Sequence, residues 1–160
     1  MSKPTTKCWI DTAAMMAIIA EANSKYPLET GGVLIGYRKD NEVIITDITG
    51  PGPNANHQKI YFDVDNKWTT AKADKIFDAT EGRLRYIGDW HSHPDGYCHP
   101  SVLDVKALEK VRDCPRALTP KPLMMIIGHD FSKWTMWELA EMLRPLPLQR
   151  FEFNREWAYA

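Results

Sequence analysis

The sequence has few cysteines, no long hydrophobic run and no surplus of charge of either sign. Its three cysteines, Cys8, Cys98 and Cys114, share no close spacing, which excludes a disulfide framework and favours a reducing compartment. The longest early apolar run, residues 13–20, is too short to cross a bilayer. The residues before it lack the basic start and cleavage pattern of a signal peptide. We therefore expect a cytoplasmic protein with no membrane segment.

The charge balance excludes a nucleic-acid-binding surface of the usual basic kind. Twenty lysines and arginines face 21 acidic residues, and no run of five like charges occurs. With 160 residues the chain is long enough for one domain with a continuous core. We expect a single domain over residues 1–160, with its core at about 8–140 and an aromatic tail at 145–160. That tail is either a last strand or a surface that a partner covers.

Apolar spacing predicts an α/β fold with a mixed sheet flanked by about three helices. Helical periodicity follows Asp11, Asp65 and Ser101, each of which is a residue type that caps helices. Short apolar runs predict strands at 33–37, 43–48, 60–64, 84–90, 123–127 and 134–139. The glycine pair Gly31–Gly32 just before the first of these strands indicates close backbone approach.

The central strand, 84–90, leads into the segment that carries the chemistry. Strand alternation predicts that Leu84, Tyr86 and Trp90 share one face, and that Ile87, Asp89, His91 and His93 share the other. Both imidazoles would then point the same way, while Ser92 points opposite. Two nitrogens aimed alike can bind one cation, although two surface histidines at a strand end would give the same spacing.

A second polar pair, Ser101 and Asp104, follows a proline-bracketed loop. Ser-x-x-Asp is close to a capping box, and taken alone this spacing favours a helix cap over a metal site. Asp104 nevertheless lies one turn into the helix, from where it could face the histidines across the loop. Two imidazoles and a carboxylate suit catalytic zinc with one position left for water.

Other zinc-hydrolase motifs are missing. His-Glu-x-x-His does not occur, which excludes a zincin, and the His-x-Glu with Pro-Cys-x-x-Cys pattern of deaminases is also absent. The site would further need a base from outside the motif. Asp89 could orient one imidazole, whereas Cys98, His99 and the isolated His57 are read as ordinary loop or structural residues.

The composite spacing resembles the JAMM (MPN+ or JAB) metallopeptidase family. Its elements are His91-x-His93-Pro94, then Ser101-x-x-Asp104, with Trp90 before the first histidine and an upstream Pro27-x-Glu29-x-Gly31-Gly32-x-Leu34-x-Gly36. These fixed positions agree together, so the match is far more specific than any one short motif. The resemblance implies a single MPN domain with a cytidine-deaminase-like fold.

The resemblance also implies roles for five residues. His91, His93 and Asp104 would bind one Zn²⁺ per chain. Glu29 would be the general base that moves a proton from water to the leaving amine, and Ser101 would hydrogen-bond the oxyanion. The implied reaction is hydrolysis of an amide or isopeptide bond without a covalent enzyme intermediate.

Members of the family typically cleave after the C-terminal glycine of ubiquitin or a ubiquitin-like protein, whose tail two inserted segments guide. The candidates here, about 54–61 and 114–122, are short, which is unlike eukaryotic deubiquitinases. The chain is more similar to bacterial members in anti-phage operons such as CBASS. There the implied partners are ubiquitin-activating and ubiquitin-conjugating-like enzymes and a conjugated cGAS-like nucleotidyltransferase. Peptidase action on unrelated phage-tail or cell-wall-linked peptides stays open, as does a non-catalytic MPN scaffold.

Overall fold

An eight-stranded mixed sheet is the centre of the fold, in a computed structural model that describes residues 5–128 and 133–159. In chain order the strands are β1 (Lys7–Asp11), β2 (Gly31–Lys39), β3 (Glu42–Ile48), β4 (Asn56–His57), β5 (Phe62–Asp63), β6 (Arg85–Ser92), β7 (Leu123–Ile127), β8 (Trp134–Leu139), β9 (Leu143–Leu146) and β10 (Leu148–Phe151). The spatial order of the main sheet is β10-β1-β3-β2-β6-β7-β8-β9, and β4 pairs only with β5. Parallel and antiparallel pairs both occur, so the predicted mixed sheet is confirmed.

Three long helices and one short helix cover this sheet: α1 (Thr12–Lys25), α2 (Asn66–Ala79), α3 (Val102–Arg112) and α4 (Arg155–Tyr159). The α/β class and the three flanking helices are thus as predicted. None of the described helices has both the length and the apolar character needed to span a membrane.

The helices lie on opposite faces because neighbouring strand residues point in opposite directions. Met125 on β7 belongs to the same core cluster as Ile18 of α1, whereas Ile126, the next residue, belongs to the cluster of Leu108 on α3. On the α3 side of the sheet, Ala73 of α2 contacts the β2 strand through a second cluster. A sheet buried on both faces holds the ends of its central strands at fixed positions, and those ends carry the polar residues described below.

The predicted glycine contact at the start of β2 is confirmed. A Cβ added to Gly31 would lie 2.3 Å from the carbonyl oxygen of Trp90, and one added to Gly32 would lie 1.9 Å from that of Thr49. Any side chain would therefore push β2 away from its neighbours. The glycines allow the residues just before β2 to reach the end of β6.

The predicted strand at 60–64 is wrong as a member of the main sheet. Only Phe62 and Asp63 form a ladder, which pairs antiparallel with Asn56 and His57 in a separate hairpin. Ile60 is 88% exposed at the tip of this hairpin. The apolar residues at the start of segment 60–64 therefore belong to a protruding turn and not to a buried strand.

The predicted faces of the central strand are also partly wrong, because β6 contains a bulge. Leu34 pairs with Gly88 and Ile35 with Tyr86, so Ile87 is an extra residue on β6. Beyond it the alternation reverses. Trp90 therefore packs in the same core cluster as Ile87, instead of sharing a face with Leu84 and Tyr86.

Part of the aromatic tail is a strand, the first of its two predicted alternatives, and the short helix α4 follows it. β10 pairs parallel with β1 at the edge of the sheet. Beyond it, the Phe153 amide donates to Asp11 Oδ1 at 3.1 Å, and Trp157 stacks on Tyr37 with ring centroids 4.7 Å apart. Asp11 was expected to cap α1, but its carboxylate makes no cap bond and holds the tail instead.

A buried carboxylate, paired with two arginines, joins strands at the end of the sheet where β6 begins. The Glu138 carboxylate has no exposed area, and it bonds Arg38 Nη1 at 2.9 Å and Arg144 Nη2 at 2.6 Å. The predicted guiding segment 114–122 lies here, since Lys121 accepts a hydrogen bond from Arg38 through its carbonyl oxygen. The segment meets β6 where Thr119 Oγ1 donates to the Tyr86 carbonyl oxygen at 3.5 Å, and it continues into Leu123, which pairs with Gly88. Gly88 precedes His91 by three residues, which is about 10 Å along a strand.

Candidate metal centre

His91 and His93 converge where β6 ends. Their Nε2 atoms lie 2.9 Å apart, and both rings are buried. The His93 amide still donates to the Ile127 carbonyl oxygen at 2.9 Å, so strand geometry continues to that residue and aims both rings alike. The predicted common direction of the two histidines is therefore confirmed.

Asp104 supplies a carboxylate to the same point while it also caps α3. Its Oδ2 atom lies 3.2 Å from His91 Nε2 and 3.3 Å from His93 Nε2. That oxygen accepts from the Ser101 amide at 2.7 Å, and the Asp104 amide donates back to Ser101 Oγ at 3.1 Å. The capping box and the facing carboxylate, which the sequence offered as alternatives, coexist. The cap fixes the direction of the Asp104 side chain.

The chemistry of these three atoms fits a metal ion. A carbonyl oxygen only accepts, so the contact between His93 Nδ1 and the Tyr97 carbonyl oxygen puts the proton on Nδ1 and leaves a lone pair on Nε2. That lone pair faces Asp104 Oδ2, which is also an acceptor. Four ligands about 2.0 Å from a tetrahedral zinc lie about 3.3 Å from one another, close to both separations involving Asp104.

The electrostatics of the site favour positive charge at this point. Burial alone would raise the pKa of Asp104, but the imidazole nitrogens of His91 and His93, when they carry a proton, bring it well below its usual range. Burial lowers the pKa of His93, yet the bonds to Asp104 and to the Tyr97 carbonyl raise it overall. Both shifts mean that the negative charge of Asp104 favours a positive charge on the atoms that face it.

Glu29 lies at the same end of the sheet, in the segment between α1 and β2. Its neighbour Thr30 donates its amide to Ser92 Oγ at 3.0 Å and accepts from the Ser92 amide at 2.9 Å. Gly31 pairs with His91. Ser92 points away from the histidines, as predicted, and ties the Glu29 segment to their strand.

The Glu29 carboxyl group is half-buried and close to the charges of the site. Burial raises its pKa to about 7, an effect that His93 opposes and Asp104 and Asp95 reinforce. A carboxyl group that titrates near neutral pH can both accept and release a proton under physiological conditions.

Two residues near the site behave otherwise than expected. Asp89 does not orient a histidine; its carboxylate accepts from the Tyr86 hydroxyl at 2.8 Å, and burial raises its pKa to about 6. His57, read as an isolated residue, lies on the Glu29 segment, where its Nδ1 is 2.9 Å from the Glu29 carbonyl oxygen. Strands β4 and β5 are two residues each, too short to give a periodic signal that could have revealed this contact.

His99 and Cys98 lie in the loop before α3. The His99 ring packs edge-on against Trp137 at 4.8 Å, and Cys98 Sγ lies near the Gly96 and Lys133 carbonyl oxygens. Among the described residues, the one group of histidine, cysteine or acidic side chains that could hold a metal is His91, His93 and Asp104.

Comparison with known proteins finds a family and several relatives. Residues 11–140 match the family described as prokaryotic homologs of the JAB domain. The chain is 30% identical over 128 residues to a probable metalloprotease, y4qB, of Sinorhizobium fredii, covering 79% of this chain and 78% of that one. Its fold resembles the solution structure of protein DSY2949 from Desulfitobacterium hafniense, with a TM-score of 0.72 at 16% identity over 93% and 96% of the two chains.

Two shorter sequence alignments match proteins whose names state a reaction. A CD-NTase/cGAS isopeptidase of Escherichia coli is 33% identical over 79 residues, and one of Vibrio cholerae is 32% identical over 76. These alignments cover 49% and 48% of this chain, and the chain spans about half the length of each isopeptidase.

The chain belongs to the prokaryotic JAB family. That membership confirms the predicted resemblance, and with it an enzyme of the metallopeptidase class. The convergence of His91, His93 and Asp104 is consistent with a metal-dependent reaction.

Proposed function

We propose that the chain is a zinc isopeptidase that hydrolyses the amide bond after the C-terminal glycine of a ubiquitin-like protein and so releases a conjugated partner. The observation that carries the proposal is the meeting of His91, His93 and Asp104 with Glu29 at one end of the sheet. The two isopeptidase relatives support the deconjugating reaction, and a cGAS-like nucleotidyltransferase is the conjugated partner that their names suggest.

In this proposal His91, His93 and Asp104 hold the zinc ion. When bound, zinc acidifies a water molecule and polarises the scissile carbonyl group. Glu29 accepts a proton from the attacking water and passes it to the leaving nitrogen as the carbon–nitrogen bond breaks. The products are a carboxylate and a free amine, with no covalent enzyme intermediate.

Ser101 has one hydrogen-bonding group left for the substrate. Its oxygen accepts from the Asp104 amide, which uses a lone pair and leaves the hydroxyl hydrogen free to donate. We assign that hydrogen to the carbonyl oxygen on which negative charge develops. The helix cap thus holds the donor in place before substrate arrives.

Exposed apolar side chains on the segments around the site support a protein substrate. Tyr97, Val102 and Leu103 are 65%, 73% and 65% exposed on the Asp104 side, and Ile60 is exposed on the hairpin beside Glu29. Apolar side chains on exposed segments near a site are typical of protein-binding surfaces. A role in anti-phage defence in the cytoplasm, beside ubiquitin-activating and ubiquitin-conjugating-like enzymes, completes the proposal.

The test is cleavage of fusions in which ubiquitin-like proteins from the same genome are joined through their C-terminal glycine to a cGAS-like nucleotidyltransferase. We expect zinc-dependent cleavage directly after the glycine, measured by mass spectrometry of the intact products, and none by an Asp104→Asn variant. If the zinc-loaded protein cleaves none of these fusions but does cleave unrelated tail or cell-wall-linked peptides, the deconjugating function is wrong.

A further inference from the structure

The backbone of Glu29 is held on both sides by the β4–β5 hairpin. The Glu29 amide donates to the Gln58 carbonyl oxygen at 2.7 Å. Its own carbonyl oxygen lies 2.9 Å from His57 Nδ1. Because a carbonyl oxygen only accepts, Nδ1 carries the hydrogen, and this bond survives whether the imidazole is neutral or protonated.

These two bonds, which join Gln58 and His57 to the backbone of Glu29, form a clamp at a position that lies outside regular secondary structure. Glu29 follows the end of α1 and precedes β2, so neither a helix nor the sheet fixes its dihedral angles. On its C-terminal side Thr30 is bonded to Ser92. The bond from the Glu29 amide to Gln58 and the bond from His57 to the Glu29 carbonyl oxygen are the described hydrogen bonds to the backbone of Glu29 itself.

The His57 ring is itself well placed to act as a fixed donor. It is half-buried and packs against Phe62, with ring centroids 5.4 Å apart. The hairpin turn is closed by a bond from the Gln58 amide to the Tyr61 carbonyl oxygen at 2.8 Å. Side chains locked by packing hold a neighbouring group better than free ones do.

We infer that His57 is a positioning residue for the reaction: its Nδ1–H fixes the Glu29 backbone, and so aims the Glu29 carboxyl group at the attacking water. The inference rests on the proposed function. His57 itself contacts neither substrate nor metal in this scheme.

Removing the donor is expected to lower kcat while leaving KM nearly unchanged. A displacement of about 1 Å in a reacting group costs roughly a hundredfold in rate, so we expect His57→Ala to lose about ten- to a hundredfold in kcat. KM should stay within about twofold, because substrate binding does not use the Glu29 carboxyl group. The zinc content should equal that of the wild type.

A conservative variant separates positioning from packing. In His57→Asn the amide nitrogen is two bonds from Cβ, as Nδ1 is, and can donate to the same carbonyl oxygen, although the aromatic ring is lost. We expect His57→Asn to recover most of the kcat that His57→Ala loses. Equal losses in the two variants would mean that the ring acts by packing alone and would overturn the inference.

Gln58→Ala is the matched control within the hairpin. Gln58 holds Glu29 through its backbone carbonyl group, and its side chain is exposed, so this truncation should leave kcat within about twofold. A loss as large as that of His57→Ala would show that any change in the hairpin impairs the enzyme, and would contradict a specific role for His57.

Hydrogen exchange tests the clamp without catalysis. In the metal-free protein, we expect the Glu29 amide to exchange at least about tenfold faster in His57→Ala than in the wild type, and at nearly wild-type rate in His57→Asn. Unchanged protection in His57→Ala would overturn the inference. Because this measurement needs no substrate, its outcome does not depend on whether the proposed isopeptidase activity is found.

Discussion

The two ends of the sheet each hold a carboxylate, one fully buried and one partly buried, and the two carboxylates have different kinds of partner. At one end the Glu138 carboxylate is paired with two arginines of the same chain. At the other, Asp104 faces the imidazole nitrogens of His91 and His93. Arginine is permanently charged, whereas an imidazole can offer a lone pair. The first arrangement is therefore complete in itself, and the second is completed by a cation.

The difference in partners also gives the two carboxylates different roles: Glu138 has a structural role, and Asp104 has a chemical one. The ion pair at Glu138 joins β2, β8 and β9. Its two arginines are donors with no lone pair, so they cannot bind a metal ion. The three atoms at the metal end come from β6, the loop after it and α3, with Glu29 arriving from a fourth segment. A buried carboxylate alone therefore does not identify a site; the partner that neutralises it does.

The largest effect is expected from a change at the metal end, the end of the sheet that carries His91, His93 and Asp104. Asp104→Asn keeps an oxygen that can accept from the Ser101 amide, so the α3 cap should survive while the negative charge is lost. We expect zinc to be lost and kcat/KM to fall by about a thousandfold or more, because the metal supplies several kcal/mol of transition-state stabilisation. Metal analysis and the fusion-cleavage assay measure the two effects. Retained zinc with full activity would contradict the assignment of Asp104.

A change at the opposite end should alter stability without touching zinc. Glu138→Ala leaves Arg38 and Arg144 without their shared partner. Since both arginines reach water, we expect a loss of about 2–3 kcal/mol in the free energy of unfolding, less than for a fully buried pair. Urea denaturation of the metal-free proteins measures it. A loss of zinc binding in this variant would show that the two ends are not independent.

The smallest structural change is expected at Ser101. Ser101→Gly removes the hydroxyl group, but glycine is tolerated at a helix N-cap, so stability should fall by only a few tenths of a kcal/mol. Without the donor, kcat should fall by about a hundredfold or more. Thermal unfolding and steady-state kinetics separate the two quantities. Wild-type kcat in this variant would leave Ser101 with a capping role alone.

The metal end could be predicted from the sequence because its signals are local. Strand alternation aimed His91 and His93 alike, and the Ser-x-x-Asp spacing placed Asp104 at the start of a helix. Glu29 came from the family resemblance, since its own neighbourhood reads as a turn. The structure adds the hydrogen bonds between Thr30 and Ser92 that join these segments.

The remaining features depend on pairings between distant residues. Glu138 was placed correctly on a strand, but its burial requires Arg38, 100 residues earlier in the chain. The extra residue at Ile87 reverses the faces of β6, and a bulge leaves no mark in an apolar pattern. His57 acts across a hairpin whose strands are two residues long.

The most direct test of the account is the zinc content of Glu29→Gln together with its turnover. The glutamine side chain cannot take up a proton from water, yet none of the three proposed zinc ligands is changed. We predict about one zinc per chain by elemental analysis, as in the wild type, with cleavage of the fusion substrate abolished. Loss of zinc from this variant, or cleavage at the wild-type rate, would contradict the proton-transfer role of Glu29.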